Sequence, residues 1–175
     1  MDKEKLQEIL RKHEQWLSDD CSGEKADLSY ADLSYAYLRD ANLSNADLSY
    51  ADLSYIDLRD ADLSYADLRY ANLIYADLMS ADLRYADLTG AKLNWCSTQD
   101  MEGQKIISVQ VDTTRKNNQI SYWVDLDIWT TGCFQGSLDE LKKSIEETHK
   151  DNEFLRNRYY RVIDFILNEA EQDKV

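Results

Sequence analysis

Residues 26–35 read ADLSYADLSY, and the same five-letter phrase continues, lightly varied, to residue 95. Set in fives, residues 26–95 give fourteen consecutive units without an insertion, from ADLSY at 26–30 through AYLRD at 36–40 and IDLRD at 56–60 to AKLNW at 91–95. The third position is leucine in every unit: Leu28, Leu33, Leu38, Leu43, Leu48, Leu53, Leu58, Leu63, Leu68, Leu73, Leu78, Leu83, Leu88 and Leu93. The first position is alanine in all but one unit, where Ile56 stands. A period of five matches neither the 3.6 of a helix nor the 2.0 of a strand, so these apolar residues cannot line one face of either regular element. The chain must turn at every unit. A square coil satisfies the pattern, with one pentapeptide per side, four sides per turn, and Ala and Leu pointing inward as the core. Neighbouring coils then hydrogen-bond to one another at a strand-like spacing of about 4.7–4.9 Å.

The A(D/N)LXX units resemble the pentapeptide-repeat family, and the resemblance covers 70 of the 175 residues. It implies a right-handed quadrilateral β-helix, in which fourteen units at four to a turn make about 3.5 coils. A coil of twenty residues sorts the outer positions into vertical columns. Tyr30, Tyr50 and Tyr70 share one; Tyr35, Tyr55, Tyr75 and Trp95 share the next; Tyr65 lies with Tyr85 on a third side, and the remaining side carries Arg39 with Arg59 and Asp40 with Asp60. Two readings of the tyrosines stand side by side. Rings stacked between coils stabilise the array, and two adjacent tyrosine sides also make a recognition surface, because Tyr offers large contact area at low side-chain entropy.

Carboxylates fall into columns too: Asp27, Asp47, Asp67 and Asp87 on one side, Asp32 and Asp52 on the next, Asp57 and Asp77 on the third, Asp62 and Asp82 on the fourth. An Asp or Asn beside a tight turn accepts hydrogen bonds from turn backbone, which explains why Asn42 and Asn72 substitute for it. The alternative is charge mimicry of nucleic acid. Residues 26–95 hold twelve Asp against five Arg plus Lys, which at strand spacing places about one net charge per 2.4 Å of axis, near the ~1.7 Å of duplex DNA. Within the family resembled, the bacterial quinolone-resistance and gyrase-inhibitor proteins are acidic, DNA-like rods that bind type II topoisomerases. This array departs from them in being about half as long or less, the length of roughly five base pairs, and in having no inter-coil loops.

The whole chain carries a formal charge of −14 and a sequence pI near 4.5. That excess disfavours direct binding to nucleic acid or an anionic membrane and attracts a basic partner. Cys21, Cys96 and Cys133 are odd in number and widely separated, which fits neither a disulfide framework nor a zinc ligand set. The first twenty residues lack the basic and apolar regions of a signal peptide, and no apolar run approaches a membrane span, so the expected place is the cytoplasm of a bacterial or phage-infected cell.

A short solenoid needs caps over its open ends. Leu6, Ile9, Leu10, His13 and Leu17 recur at helical spacing with Trp16 beside them, predicting an amphipathic helix across the first coil, with His13 packed and satisfied and CSGEK at 21–25 as the connecting turn. After Trp95, IISVQV at 106–111, the polar turn DTTRKNNQ and ISYWVDLDIW at 120–129 predict a β-hairpin. Ser137 followed by Glu140 makes a capping box for a helix over 137–149. Phe154, Leu155, Tyr159, Val162, Ile163, Phe165 and Ile166 mark a second over 151–171. The stretch TTGCFQGSLDELKKSIEETHKDNEFLRNRYYRVIDFI is similar to a tail of phage and bacterial proteins of unknown function, a resemblance that names no activity.

Chemistry has one candidate. Cys133, in a Gly-flanked turn just before a helix N-terminus, suits a lowered pKa, with His149 the nearest imidazole in sequence. The predicted helix between them holds the two about 18 Å apart, which argues against a dyad. No phosphate loop, no H-E-x-x-H and no paired histidines occur, so neither a cofactor nor a metal is expected. The sequence thus implies a mainly β chain of three parts: a capping helix and turn over 1–25, a β-helix over 26–95 and an α+β domain over 96–175. Its expected role is a non-catalytic interaction module for a protein partner, with self-association left open. An acidic inhibitor or protector of a nucleic-acid enzyme, such as a type II topoisomerase or defence nuclease, is the alternative, and a Cys133-dependent enzyme is a third.

Overall fold

Every pentapeptide makes the same turn in the computed structural model, which describes residues 1–111 and 118–172. The amide of Ala31 donates to the carbonyl of Leu28 (3.1 Å), that of Ala36 to Leu33 (3.0 Å), and so on down the array. Closing so tight a turn puts its third residue in the left-handed region. The fifth residue of each unit therefore has positive φ, from 55° at Asp100 to 64° at Asn45, with Gly90 at 73°.

Between turns, short extended pieces pair with the coil above and below. Leu28 N–H donates to Asp47 C=O (2.7 Å), and Asp47 N–H donates to Ala26 C=O (3.0 Å). The same pairing joins second-position residues twenty apart as parallel bridges, from Asp27 with Asp47 to Asp82 with Glu102. Backbone groups that would otherwise be orphaned on each side are satisfied by the next coil. All fourteen repeat leucines are buried, each removal from water contributing roughly 1.5–3 kcal/mol.

The array runs past residue 95. Cys96 takes an alanine position, its Sγ donating to Leu73 C=O (3.0 Å). Ser97 bridges Asp77, Glu102 bridges Asp82, and Asp100 keeps the left-handed φ of the repeat. Thr98 and Gly103 then stand where leucines would. Gly103 has φ 88°, and a Cβ there would fall 2.3 Å from the Arg84 backbone nitrogen, so the chain can close over the previous coil only without a side chain. The first compact unit is Met1–Gln104 and the second Lys105–Val175. Residues 96–104, expected with the C-terminal part, belong to the solenoid because their backbone keeps pairing after the leucines stop.

Helix α1 (Lys3–Leu17) belongs to the first unit and is capped by the Asp2 side chain, which accepts from Glu4 N–H. Its apolar face is half-buried, and His13 is its one fully buried residue. Gly23 lies against the Trp16 backbone where a Cβ would come within 2.1 Å.

The second unit differs from the expected hairpin. Strands β1 (Ile106–Val111), β2 (Asn118–Trp123), β3 (Ile128–Thr131) and β4 (Phe134–Gly136) form one antiparallel sheet in sequence order. The run ISYWVDLDIW is not one strand: a single 3-10 turn at Val124–Leu126, ending on left-handed Asp127, breaks it in two. Polar contacts hold the break. Asp125 accepts the Lys105 amide (2.9 Å), and Tyr122 Oη donates to Asp127 (3.0 Å). Most of the polar turn expected at 112–119 lies outside the described residues. Helices α2 (Leu138–Thr148) and α3 (Glu153–Gln172) follow. Val111, Ile120, Trp129, Leu141, Ile145, Tyr159, Ile163 and Ile166 form the unit's core. The capping box at Ser137 and Glu140 is present in both directions.

Candidate interaction surface

The fifth-position side chains leave the coil at its corners, so rings twenty residues apart stand one above another. Tyr30, Tyr50 and Tyr70 stack with centroids 4.8 and 4.9 Å apart. Tyr35, Tyr55, Tyr75 and Trp95 stack at 4.8, 4.7 and 4.7 Å, and Tyr65 on Tyr85 at 4.8 Å. Near-parallel rings at the coil rise use their faces on one another and turn edges and hydroxyls outward, where the ring quadrupole is positive. Tyr30, with no ring above it, is 73% exposed against 49% for Tyr50. Gly90 occupies the place that would extend the first ladder, its backbone lying on the Tyr70 ring.

The second-position carboxylates serve the turns. Asp27, Asp47, Asp67 and Asp87 each accept the amide two residues on, from Ser29 (3.1 Å), Ser49 (3.0 Å), Arg69 (3.1 Å) and Thr89 (2.9 Å). The column nevertheless splits. In its upper half the Ser29 and Ser49 hydroxyls also donate to Asp27 and Asp47. In its lower half Arg69 pairs with Asp67 and reaches Asp87 at 3.8 Å. Elsewhere Arg59 binds Asp57 (2.6 Å) and reaches Asp77 (3.5 Å), Arg84 spans Asp82 and Glu102, and Arg39 reaches Asp60 at 2.8 Å. The Arg59, Arg69 and Arg84 side chains hold Asp57, Asp67 and Asp82 below the usual carboxylate range chiefly by donating to them. Asp27 and Asp32 are lowered chiefly by the Ser29 and Ser34 hydroxyls. Their negative charge faces solvent beside the Tyr30 and Tyr35 corners.

Three features had no place in the repeat reading. Tyr37 stands where every other unit but the last, which has Lys92, carries Asp or Asn, and it is 88% exposed; its break in the A(D/N)L pattern is the available signal. On α3, Phe154 and Phe165 are both exposed, though their spacing reads like that of core residues. His13 is buried as expected; Nδ1 accepts the Ala26 amide (3.1 Å), while Nε2 lies beside the Ser44 backbone without a hydrogen bond of ordinary geometry.

Cys133 and His149 stand on different elements. Cys133 is exposed in the tight turn joining β3 to β4, not at the start of α2, because Phe134–Gly136 forms a strand in between. His149 caps the far end of α2 and stacks on Tyr159 at 5.2 Å. Burial pushes the Cys96 thiol up to about 12, which keeps it from acting as a nucleophile. Among the described residues no group of His, Cys, Asp or Glu is arranged to hold a metal ion, and no helix is long and apolar enough to cross a membrane.

The family described as pentapeptide repeats matches in eight copies, over residues 26–64 and 61–97. Among solved structures, the pentapeptide-repeat protein Rfr23 of the cyanobacterium Cyanothece 51142 is 34% identical over 45% of this chain and 54% of its own, with a TM-score of 0.43. HetL of Nostoc sp. strain PCC 7120, described as involved in heterocyst differentiation regulation, is 40% identical over 45% of this chain and 40% of its own, with a TM-score of 0.28. A further pentapeptide-repeat protein of Nostoc PCC 7120 is 38% identical over 53% of this chain and 84% of its own, with a TM-score of 0.23. The chain thus spans about half or less of the length of the first two. A search of curated proteins finds no match. Residues 26–97 are pentapeptide repeats, and through them the chain belongs to the pentapeptide-repeat family.

Proposed function

We propose that this chain is a non-catalytic protein-interaction module, acting in the cytoplasm, whose contact surface is the pair of adjacent tyrosine ladders, Tyr30–Tyr50–Tyr70 and Tyr35–Tyr55–Tyr75–Trp95, with Asp27 and Asp47 beside them. In this reading the solenoid is right-handed with about 3.5 coils of full repeats, and the second unit supplies assembly or a further contact. The observation that carries the reading is where the tyrosines stand. They fill left-handed positions for which Gly, Asn and Asp are the easier residues. Bulky rings kept at unfavourable backbone positions while still about half exposed suit recognition better than folding.

The second reading, an acidic mimic occupying the nucleic-acid groove of an enzyme, draws on the exposed carboxylates Asp27 and Asp32 and the half-buried Asp47 and Asp52. Against it, Arg59, Arg69 and Arg84 neutralise much of the lower array. The test is capture of partners from a bacterial lysate at low and high salt and with added duplex DNA. Retention through both challenges, lost in a Tyr50→Asn/Tyr55→Asn variant, supports the ladder. Release by salt and displacement by DNA support mimicry instead.

A further inference from the structure

We propose that His13 is an acid-sensitive latch between α1 and the first coil, closed while its imidazole is neutral and opened by a proton. The ring is fully buried and lies parallel to Trp16, with centroids 5.7 Å apart. Its Nδ1 accepts the backbone N–H of Ala26, the first residue of the first repeat. An accepting Nδ1 has no hydrogen, so the single hydrogen of the neutral ring sits on Nε2. That nitrogen is buried beside the Ser44 backbone, without a hydrogen bond of ordinary geometry. The ring therefore joins helix to coil through a lone pair that a proton would occupy.

Protonation at Nδ1 has two costs. It sets an N–H against the Ala26 N–H, removing the acceptor of a buried amide. It also places a cation where no carboxylate answers it. Of the groups around the ring, the connecting segment contributes Lys25, which has the same sign; the first coil contributes the uncharged Ser44 backbone, and α1 itself the Trp16 ring. Lys12 and Glu24, next in the chain to these residues, hold each other at 3.1 Å. Burial lowers the imidazole pKa most, Lys25 lowers it further, and the Ser44 backbone opposes them.

A folded-state pKa below the ordinary 6.5 fixes the sign. The latch contributes fully above about pH 6.5, and its contribution is lost as pH falls from there toward the folded value, because the open form binds the proton first. Uptake of one proton raises the opening constant about tenfold per pH unit across that window. The coil's own carboxylates Asp27, Asp32, Asp57, Asp67 and Asp82 are all lowered. They keep their charge while His13 titrates, so acid acts on the cap before it acts on the solenoid. Opening α1 uncovers the strand-like edge of the first coil, a template for further pairing.

The test uses the full chain carrying His149→Gln, which leaves His13 as its one histidine. Amide exchange is followed by NMR from about pH 7.5 to about pH 5 and corrected for the intrinsic rate. The expected result is a loss of protection of about tenfold per pH unit below pH 6.5 in residues 3–17 and at Ala26, with the Leu53 and Leu63 amides unchanged. His13→Asn keeps an acceptor near the Nδ1 position and cannot titrate, so its cap should show no such slope. Protection of α1 that ignores pH, or falls equally in His13→Asn, overturns the proposal. Should the Asn variant fail to hold the helix, the imidazole titration of the parent decides: a midpoint below 6.5 tracked by the Ala26 amide supports the latch, and a midpoint at or above 6.5 overturns it.

Discussion

The leucines of the solenoid and the apolar residues of the second unit are buried to a similar degree, Leu63 and Ile163 both having no exposed surface, but they reach burial by different routes. Each interior solenoid leucine is held by its own pentapeptide and the two coils that sandwich it. Each core residue of the second unit depends on partners brought from both helices and the sheet. Repetition makes solenoid stability a sum of similar nearest-neighbour steps, whereas the sheet and helices gain theirs together. Local accuracy suffices in the first case; in the second, many distant choices must agree.

The largest expected effect tests that contrast. Leu63→Ala and Ile163→Ala should each cost about 3 kcal/mol from lost burial and a residual cavity. Amide exchange should then separate them. Leu63→Ala is expected to lower protection in the coils around residue 63 with a gradient toward the ends, and Ile163→Ala to lower it uniformly through β1–β4, α2 and α3. Uniform loss in the solenoid, or a gradient in the second unit, would break the comparison. A smaller effect follows at the start of α2. Removing the hydroxyl in Ser137→Ala should cost about 1 kcal/mol, read as a shift of the denaturation midpoint of the second unit with the solenoid amides unmoved.

The same contrast explains what could be read in the sequence. A pentapeptide carries its own turn, its own inward pair and its own acceptor, so fourteen copies in phase specify coil, core and columns from local pattern alone. Leucine ends at Leu93, so the repeat pattern by itself ends at Trp95. The backbone follows the left-handed fifth position and the coil-to-coil ladder, which persist through Asp100 and Glu102 after leucine has gone. In the second unit, Ser137 and Glu140 were legible because a capping box spans three residues. The break after Trp123 was not, because it depends on Asp125 meeting the amide of Lys105, twenty residues away. Strand β4 has three residues, too few to show alternation. At the candidate site, column membership followed from counting in twenties. The division of the Asp column into hydroxyl-bonded and arginine-paired halves needed the reach of Arg69, and the half-satisfied state of His13 needed the position of Ala26.

The smallest expected effect bears on why the tyrosines are there. Tyr50 stacks on Tyr30 above and Tyr70 below, contacts each worth about 0.5–1.5 kcal/mol beyond buried area. Its backbone has φ 58°, a conformation costing an L-residue with a bulky side chain roughly 1–2 kcal/mol and asparagine less. The two terms oppose each other, so Tyr50→Asn should cost between about −1 and 2 kcal/mol, less than Leu63→Ala three sides of coil away. Tyr30→Asn removes one stack instead of two and should sit closer to zero, or on the stabilising side. Denaturation midpoints of the three variants measure the balance directly. If Tyr50→Asn proves as damaging as Leu63→Ala, the ladders are part of the solenoid's framework and the case for a recognition surface loses its main physical support. If it is close to neutral, folding does not explain the rings, and binding is left to account for them.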